Sequence, residues 1–322
     1  MAKQAGMAGI GLFLLLTYPT MVDTTMTIEF STLGVGGMLN AIISGYIVAI
    51  IMNLFAKHSF FKEDTAMPSF IVTWFDTLIP WTLCALIGVF FTFTLKFNLV
   101  EAIRTVFTPV ISIGQTFWGF LIIYFACLFV YSFGISSWII YPILTLIWSE
   151  GWAANEALVA QGLAPVNIHI NEMFKMITIG GQGSTLALCI FMAFLAHSKR
   201  LKTIGRTSLI PGLFNINEPL VYGAPIAFNP ILMVPFWLAG LANGIVVWAG
   251  FATGFMQIPT EVFRLKLPSF IYAPICVKSL NGLWVMLIAF AITCVIYYPF
   301  FKIYDKQLTA EESANVKAKA AK

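Results

Sequence analysis

Between Thr207 and Thr260 the chain carries one charged residue, Glu218, with long apolar runs on both sides of it. An ionisable group at bilayer depth costs at least about 2.5–3.5 kcal/mol, and it persists where it faces a cavity and works there. The rest of the composition places the chain in that setting. Of its 322 residues 59% are hydrophobic, 15% aromatic and only 10% charged, with mean hydropathy +0.89. Soluble domains carry about a quarter charged residues, so this chain lacks the polar surface to cover a globule in water. Its apolar runs approach the roughly 20 residues that a spanning helix needs. The reading is an all-α polytopic membrane protein, with Phe and Trp as lipid-facing residues and anchors.

The runs Gly36–Ala56, Leu78–Leu95, Phe117–Trp148, Ile231–Phe251 and Leu283–Phe301 read as spans, the third broken at "SFGISS" and Pro142. Counting "GGQGSTLALCIFMAFLA" as well gives about six spans plus re-entrant pieces. "KFNLVEAIRTVFTPVISIGQ" is amphipathic and suits an interfacial helix or a linker. The hairpin with His58 and the polar stretch "SEGWAANEALVAQGLAPVNIHINEMFK" read as extramembrane loops, with His169 a polar loop histidine. "HSKRLKTIGR", with Lys199, Arg200, Lys202 and Arg206, reads as a cytoplasmic basic loop by the positive-inside tendency. His197 belongs to it. The charged tail from "KIYDKQ" onward reads as a solvated end with no site. The five cysteines are scattered and read as small packed residues, without a disulfide framework or metal site. Charge at this level gives no footprint for nucleic acid.

"PGLFNINEPLVYGAPIAFNP", Pro211–Pro230, surrounds Glu218 with four Pro, two Gly and three Asn. Such breakers at membrane depth are tolerated only where protein or a water-filled cavity surrounds them. A re-entrant hairpin presenting Asn215, Asn217 and Glu218 suits a polar, neutral ligand. Amides donate and accept, while a carboxylate accepts hydroxyl hydrogens. An ordinary loop with Glu218 capping a turn fits the same residues. A second polar break, "IGGQGSTLAL", places Gly180, Gly181 and Gly183 in a flexible turn, with Ser184 and Thr185 starting a helix. Broken helices of this kind line transporter sites, and glycine-rich turns also simply join helices.

These stretches resemble the lactose/cellobiose/chitobiose family of phosphotransferase sugar permeases, the enzyme IIC components. The family's pattern reads roughly G-x-F-N-I-N-E-P, an apolar pair, G-x-P-I and N-P-I, as in "PGLFNINEPLVYGAPIAFNPI". "GGQGSTLAL", "AMPSFIVTWFDTLIP" and "YYPFFKIYDKQ" are similar to further family blocks in the same order. The resemblance implies inward carriage of a β-disaccharide such as cellobiose, chitobiose or lactose. The phosphoryl donor is then a phosphocysteine on a separate IIB protein, supplied by IIA, and no cofactor is involved. Glu218 would bind sugar hydroxyls and act as a possible base. Asn215, Asn217, Gly181, Thr185, Ser136 and Ser137 would line the sugar. The resemblance also implies a homodimer in the bacterial cell membrane with a cytoplasmic C-terminus. Residues 1–115 would be the remainder of a scaffold domain with an amphipathic linker. Residues 116–301 would form the transport domain, and 302–322 the tail.

Two departures stand out. The family's N-terminal helices have no counterpart before "GIGLFLLLTYPT", and Ser136 and Ser137 stand where relatives show the histidine of F-G-I-H-G. A sugar transporter without phosphorylation, or a non-transporting truncated homologue, accommodates these departures.

Overall fold

The computed structural model describes residues 2–33, 37–56, 68–224, 226–263 and 265–320. The hairpin at 57–67 with His58, the span start at Gly36 and the breaker Pro225 lie outside the described residues. The chain is helical almost throughout and divides into two compact units. One comprises Met1–Pro109 with Tyr141–Leu146, the other Val110–Ile140 with Ile147–Lys322.

In the first unit, α1 (Ala2–Leu16) packs with α3 (Met38–Ala56) and α4 (Ser69–Val89). Ala8, Leu12 and Leu16 recur every fourth residue and meet Val48, Ile51, Met52 and Cys84, the spacing that puts one helical stripe into a core. Gly88 lets α4 approach α1 closely, since a Cβ there would stand 2.7 Å from the Leu15 side chain. On the outside, Tyr46, Leu54, Trp74 and Leu86 are more than half exposed, as lipid-facing residues are. A small antiparallel hairpin, β1 (Thr20–Val22) and β2 (Thr25–Thr27), and the short α2 (Phe30–Leu33) connect α1 to α3. In α5 (Leu99–Gly114), Glu101 and Arg104 lie 4.0 Å apart. The amphipathic stretch is thus a helix.

The second unit holds α6 (Phe117–Ser132), most of α7 (Tyr141–Ala160), α8 (Asn171–Ile177), α9 (Leu186–Ile190), α10 (Lys199–Leu213), α11 (Glu218–Gly223), α12 (Pro230–Ala252), α13 (Ser269–Cys276) and α14 (Asn281–Ala320). Thr116 caps α6 and Asn229 caps α12, each side chain accepting from a first-turn N–H at 3.1 Å. Pro230 opens α12, where its missing N–H costs nothing. α12 packs against both α6 and α14.

Among the described residues four helices are long and apolar enough to cross a membrane: Met38–Ala56, Ile71–Thr94, Pro230–Ala252 and Asn281–Asn315. A fifth is reached if Leu99–Gly114 and Phe117–Ser132 count as one bent span. The sequence count of about six is higher because "GGQGSTLALCIFMAFLA" yields only the five-residue α9 and a π turn, Phe191–Leu195.

Three stretches expected as loops or solvated tail are ordered. The polar stretch after Trp148 stays helical to Ala160, because "AANEALVA" consists of good helix formers. Asn155 then fastens the returning chain, accepting from Val166 N and Asn167 N and donating to Asn167 O at 2.8–3.1 Å. "HSKRLKTIGR" contributes the first turns of α10. The tail continues as α14 and is engaged. Asp305, 5% exposed, accepts from the backbone N–H groups of His197 and Ser198 at 2.9–3.0 Å and meets His197 Nδ1 at 2.9 Å. Glu312, two turns along, accepts from Ser198 Oγ, Lys199 N and Arg200 N at 2.6–3.0 Å. The first-turn donors of α10 are therefore satisfied by carboxylates from a distant helix. Asp305→Ala should lower stability by about 2 kcal/mol, read as a fall in the thermal unfolding midpoint in detergent. The more exposed Glu312→Ala should cost less.

Candidate functional site

The two polar breaks meet in the second unit. The first is a turn between α8 and α9 in which Gly180, Gly181 and Gly183 have φ of +79°, +99° and +74°, and Ser184 has φ +54°. Side chains are excluded at these glycines by space as well as by dihedral angle. A Cβ on Gly181 would overlap the Asn217 carboxamide, and one on Gly183 would overlap the Phe236 ring. A turn this tight leaves backbone groups without helical partners, and buried unpaired groups cost stability.

The second break supplies those partners. Asn215, itself at φ +63°, accepts from Gly180 N at 2.9 Å through Oδ1. Asn217 Nδ2 donates to Gln182 O at 2.6 Å and to Thr185 Oγ1 at 3.1 Å. Thr185 Oγ1 donates onward to Gly180 O at 2.7 Å. Sequence reasoning missed three further supports. Ser269 Oγ, at the start of α13, donates to Asn215 Oδ1 at 3.1 Å. Asn243, in α12, donates to Ser184 Oγ at 2.6 Å, and Tyr297, in α14, donates to Gly183 O at 2.7 Å. Each sits in a helix or at a helix start, and a polar residue there gives no local signal of its partner.

Glu218 follows Asn217 as the first residue of α11 and is exposed. No hydrogen bond or ion pair is recorded for its carboxylate among the described residues, so it does not act as a turn cap. Ser136 is also exposed and accepts from Trp138 N at 3.4 Å, while Ser137 is buried. They follow the end of α6, where Ser132 O accepts from Phe228 N at 3.0 Å. The structure therefore brings Asn215, Asn217, Gly181 and Thr185 together, with Glu218 adjoining. No described hydrogen bond joins Ser136 or Ser137 to that group.

His169 is not the polar loop residue its sequence context suggests. It is 1% exposed, packed by Phe120 and Trp148, with Nδ1 2.7 Å from Gly114 O. Facing a carbonyl, Nδ1 carries the proton. Burial pushes the imidazole down to about 4, against a smaller upward pull from the Gly114 bond. His197 is tied to Asp305.

This architecture is that of an α-helical membrane transport protein whose polar site is built from two broken segments. The family model described as "Phosphotransferase system, EIIC" matches residues 2–240, and the chain belongs to that family of sugar-transport subunits. It is 32% identical over 334 residues to the putative permease IIC component YwbA of Bacillus subtilis (strain 168), covering 97% of this chain and 75% of that protein. It is 31% identical over 324 residues to a lactose-specific EIICB component of Staphylococcus aureus, covering 96% of this chain. The chain spans only 55% of that relative's length. The crystal structure of ChbC, the IIC component of the N,N'-diacetylchitobiose-specific phosphotransferase system, matches with TM-score 0.70 and 28% identity. That match covers 96% of this chain and 76% of ChbC.

Two outcomes follow from the geometry. Gly181→Ala should destabilise the protein clearly more than Gly162→Ala. Both have positive φ, which costs a side-chain-bearing residue about 1–2 kcal/mol, but Gly162 has nothing within 4 Å of an added Cβ. Thermal unfolding of the two variants compares them. For His169, the folded pKa lies below the unfolded value of about 6.5. The unfolded chain therefore takes up its proton first, and stability is lost as pH falls from about 6.5 toward about 4. A His169→Gln variant, scanned over the same range, should show a shallower loss.

Proposed function

We propose that the chain is the permease subunit that carries a β-disaccharide, such as cellobiose, chitobiose or lactose, inward for phosphorylation. The donor is a phosphocysteine on a IIB partner, itself charged by IIA. The observation that carries this reading is the pairing of the two breaks. Asn215 and Asn217 close onto the glycine-rich turn and leave Glu218, alone in charge between Thr207 and Thr260, exposed beside it. A carboxylate among amides and hydroxyls suits a neutral polyol. The lactose and N,N'-diacetylchitobiose specificities of the relatives support a disaccharide.

Glu218 holds the sugar hydroxyls and accepts the proton of the attacking one as its oxygen bonds to phosphorus. The S–P bond breaks and the thiolate leaves on IIB. Phosphoryl transfer asks its host mainly for positioning and charge stabilisation, and a positioned base contributes about 10²–10⁴-fold. Gly181 and Thr185 line the opposite side, and Ser136 and Ser137 occupy the place of the family histidine. In this reading the first 115 residues are scaffold and carry the homodimer contact, 116–301 form the transport domain, and the C-terminus faces the cytoplasm of a bacterial cell.

The absence of the family histidine favours one second reading, transport of free sugar without phosphorylation. No described hydrogen bond joins either described histidine to Asn215, Asn217 or Glu218: His169 is buried against Gly114, and His197 meets Asp305 at the start of α10. Product identity separates the readings. Vesicles supplied with phosphorylated IIB should accumulate labelled cellobiose phosphate, and Glu218→Gln should reduce this by at least about 100-fold. Free sugar accumulating regardless of IIB would establish the second reading instead.

A further inference from the structure

Recognition of a sugar needs an apolar wall as well as acceptors, because a pyranose with equatorial hydroxyls turns its axial C–H bonds to its two faces. Glu218 and Tyr222 are four residues apart on α11 and therefore share a face. Tyr222 is 51% exposed, and its ring meets that of Tyr131 edge-on, with centroids 6.2 Å apart and planes at 88°. Tyr131 is 5% exposed. Its hydroxyl lies 3.5 Å from Asn217 Oδ1, at the limit of a hydrogen bond. One amide and two phenols thus meet, the carboxylate shares a helix face with the outer phenol, and that ring is half open.

We propose that Tyr222 is the aromatic wall of the sugar site. Its ring lies against the C–H face of a pyranose whose hydroxyls Glu218 holds, and Tyr131 sets the orientation of the ring. The inference rests on the permease reading above and adds the residue that selects for a flat, equatorially substituted ring. Tyrosine suits this role because it offers a large rigid face with a polar tip. The same properties suit a membrane-interface anchor, which makes a different prediction.

The test is calorimetric titration of cellobiose into the purified full chain in detergent. Wild type should bind, Tyr222→Ala should bind about tenfold more weakly, and Tyr222→Phe should stay within about threefold of wild type. Thermal midpoints measured without sugar check that the variants fold. If Tyr222→Ala does not fold, Tyr222→Leu keeps an apolar side chain without a ring, and it should show the same weakening. Wild-type binding that either folded variant matches would overturn the proposal, leave the permease reading intact and identify Tyr222 as an anchor. Failure of wild type to bind cellobiose, chitobiose or lactose would overturn the permease reading, and the wall with it.

Discussion

The site depends on two side-chain amides reaching across to a turn that cannot satisfy itself. Four of the five residues from Gly180 to Ser184 have positive φ, a conformation that forms no regular ladder of hydrogen bonds. Buried away from water, its N–H and C=O groups need partners. Asn215 takes the Gly180 N–H, and Asn217 reaches Gln182 O and Thr185 Oγ1. The amides that suggest sugar ligands in the sequence therefore spend much of their hydrogen-bonding capacity on the protein. What they leave free is the carboxylate beside them. The two breaks serve each other first, and their joint product is a rigid place from which Glu218 projects.

α14 extends this logic over a longer distance. Tyr297 holds the carbonyl of Gly183, while Asp305 and Glu312 hold the first-turn N–H groups at the start of α10. α9 leaves the first of these points, and α10 leads from the second to the Asn215–Asn217 break. At 1.5 Å per residue, the eight residues from Tyr297 to Asp305 set about 12 Å between the two holds. One helix thus acts as a ruler for the hairpin, fixing the turn at one end and the helix that delivers the amides at the other.

How much of this could be read from the sequence varied with how local each signal was. A lone acid among breakers, and glycines clustered before Ser184 and Thr185, mark both breaks without any structure. Their pairing leaves no local trace, since Gly180 and Asn215 are 35 residues apart. Ser269, Asn243 and Tyr297 are single polar groups at the edge of or inside apolar stretches, and nothing nearby names their partners. The errors in the polar stretches have another cause. Charge and amides in "SEGWAANEALVAQG" read as a loop, yet its Ala, Leu and Glu residues favour a helix, and Asn155 is polar because it fastens the returning chain. His169 misled for the same reason: its neighbours in sequence are polar, but its neighbours in space are Phe120 and Trp148.

The serines at 136 and 137 bear on how the proposed chemistry is divided. A hydroxyl can donate and accept hydrogen bonds as an imidazole can, but it does not titrate near neutral pH. Exchanging the family histidine for serine therefore leaves recognition of sugar hydroxyls possible and removes a proton carrier. Both described histidines are bound to groups of their own, at Gly114 and Asp305. In the proposed transfer the proton of the attacking sugar hydroxyl goes to Glu218, whose carboxylate makes no hydrogen bond among the described residues. Its neighbours are Asn217, fixed by the turn, and Tyr222, one helical turn along α11. Without an imidazole after α6, the proposed chemistry leans on the geometry of the Asn217–Glu218 break, and the amide clamp is what fixes that geometry.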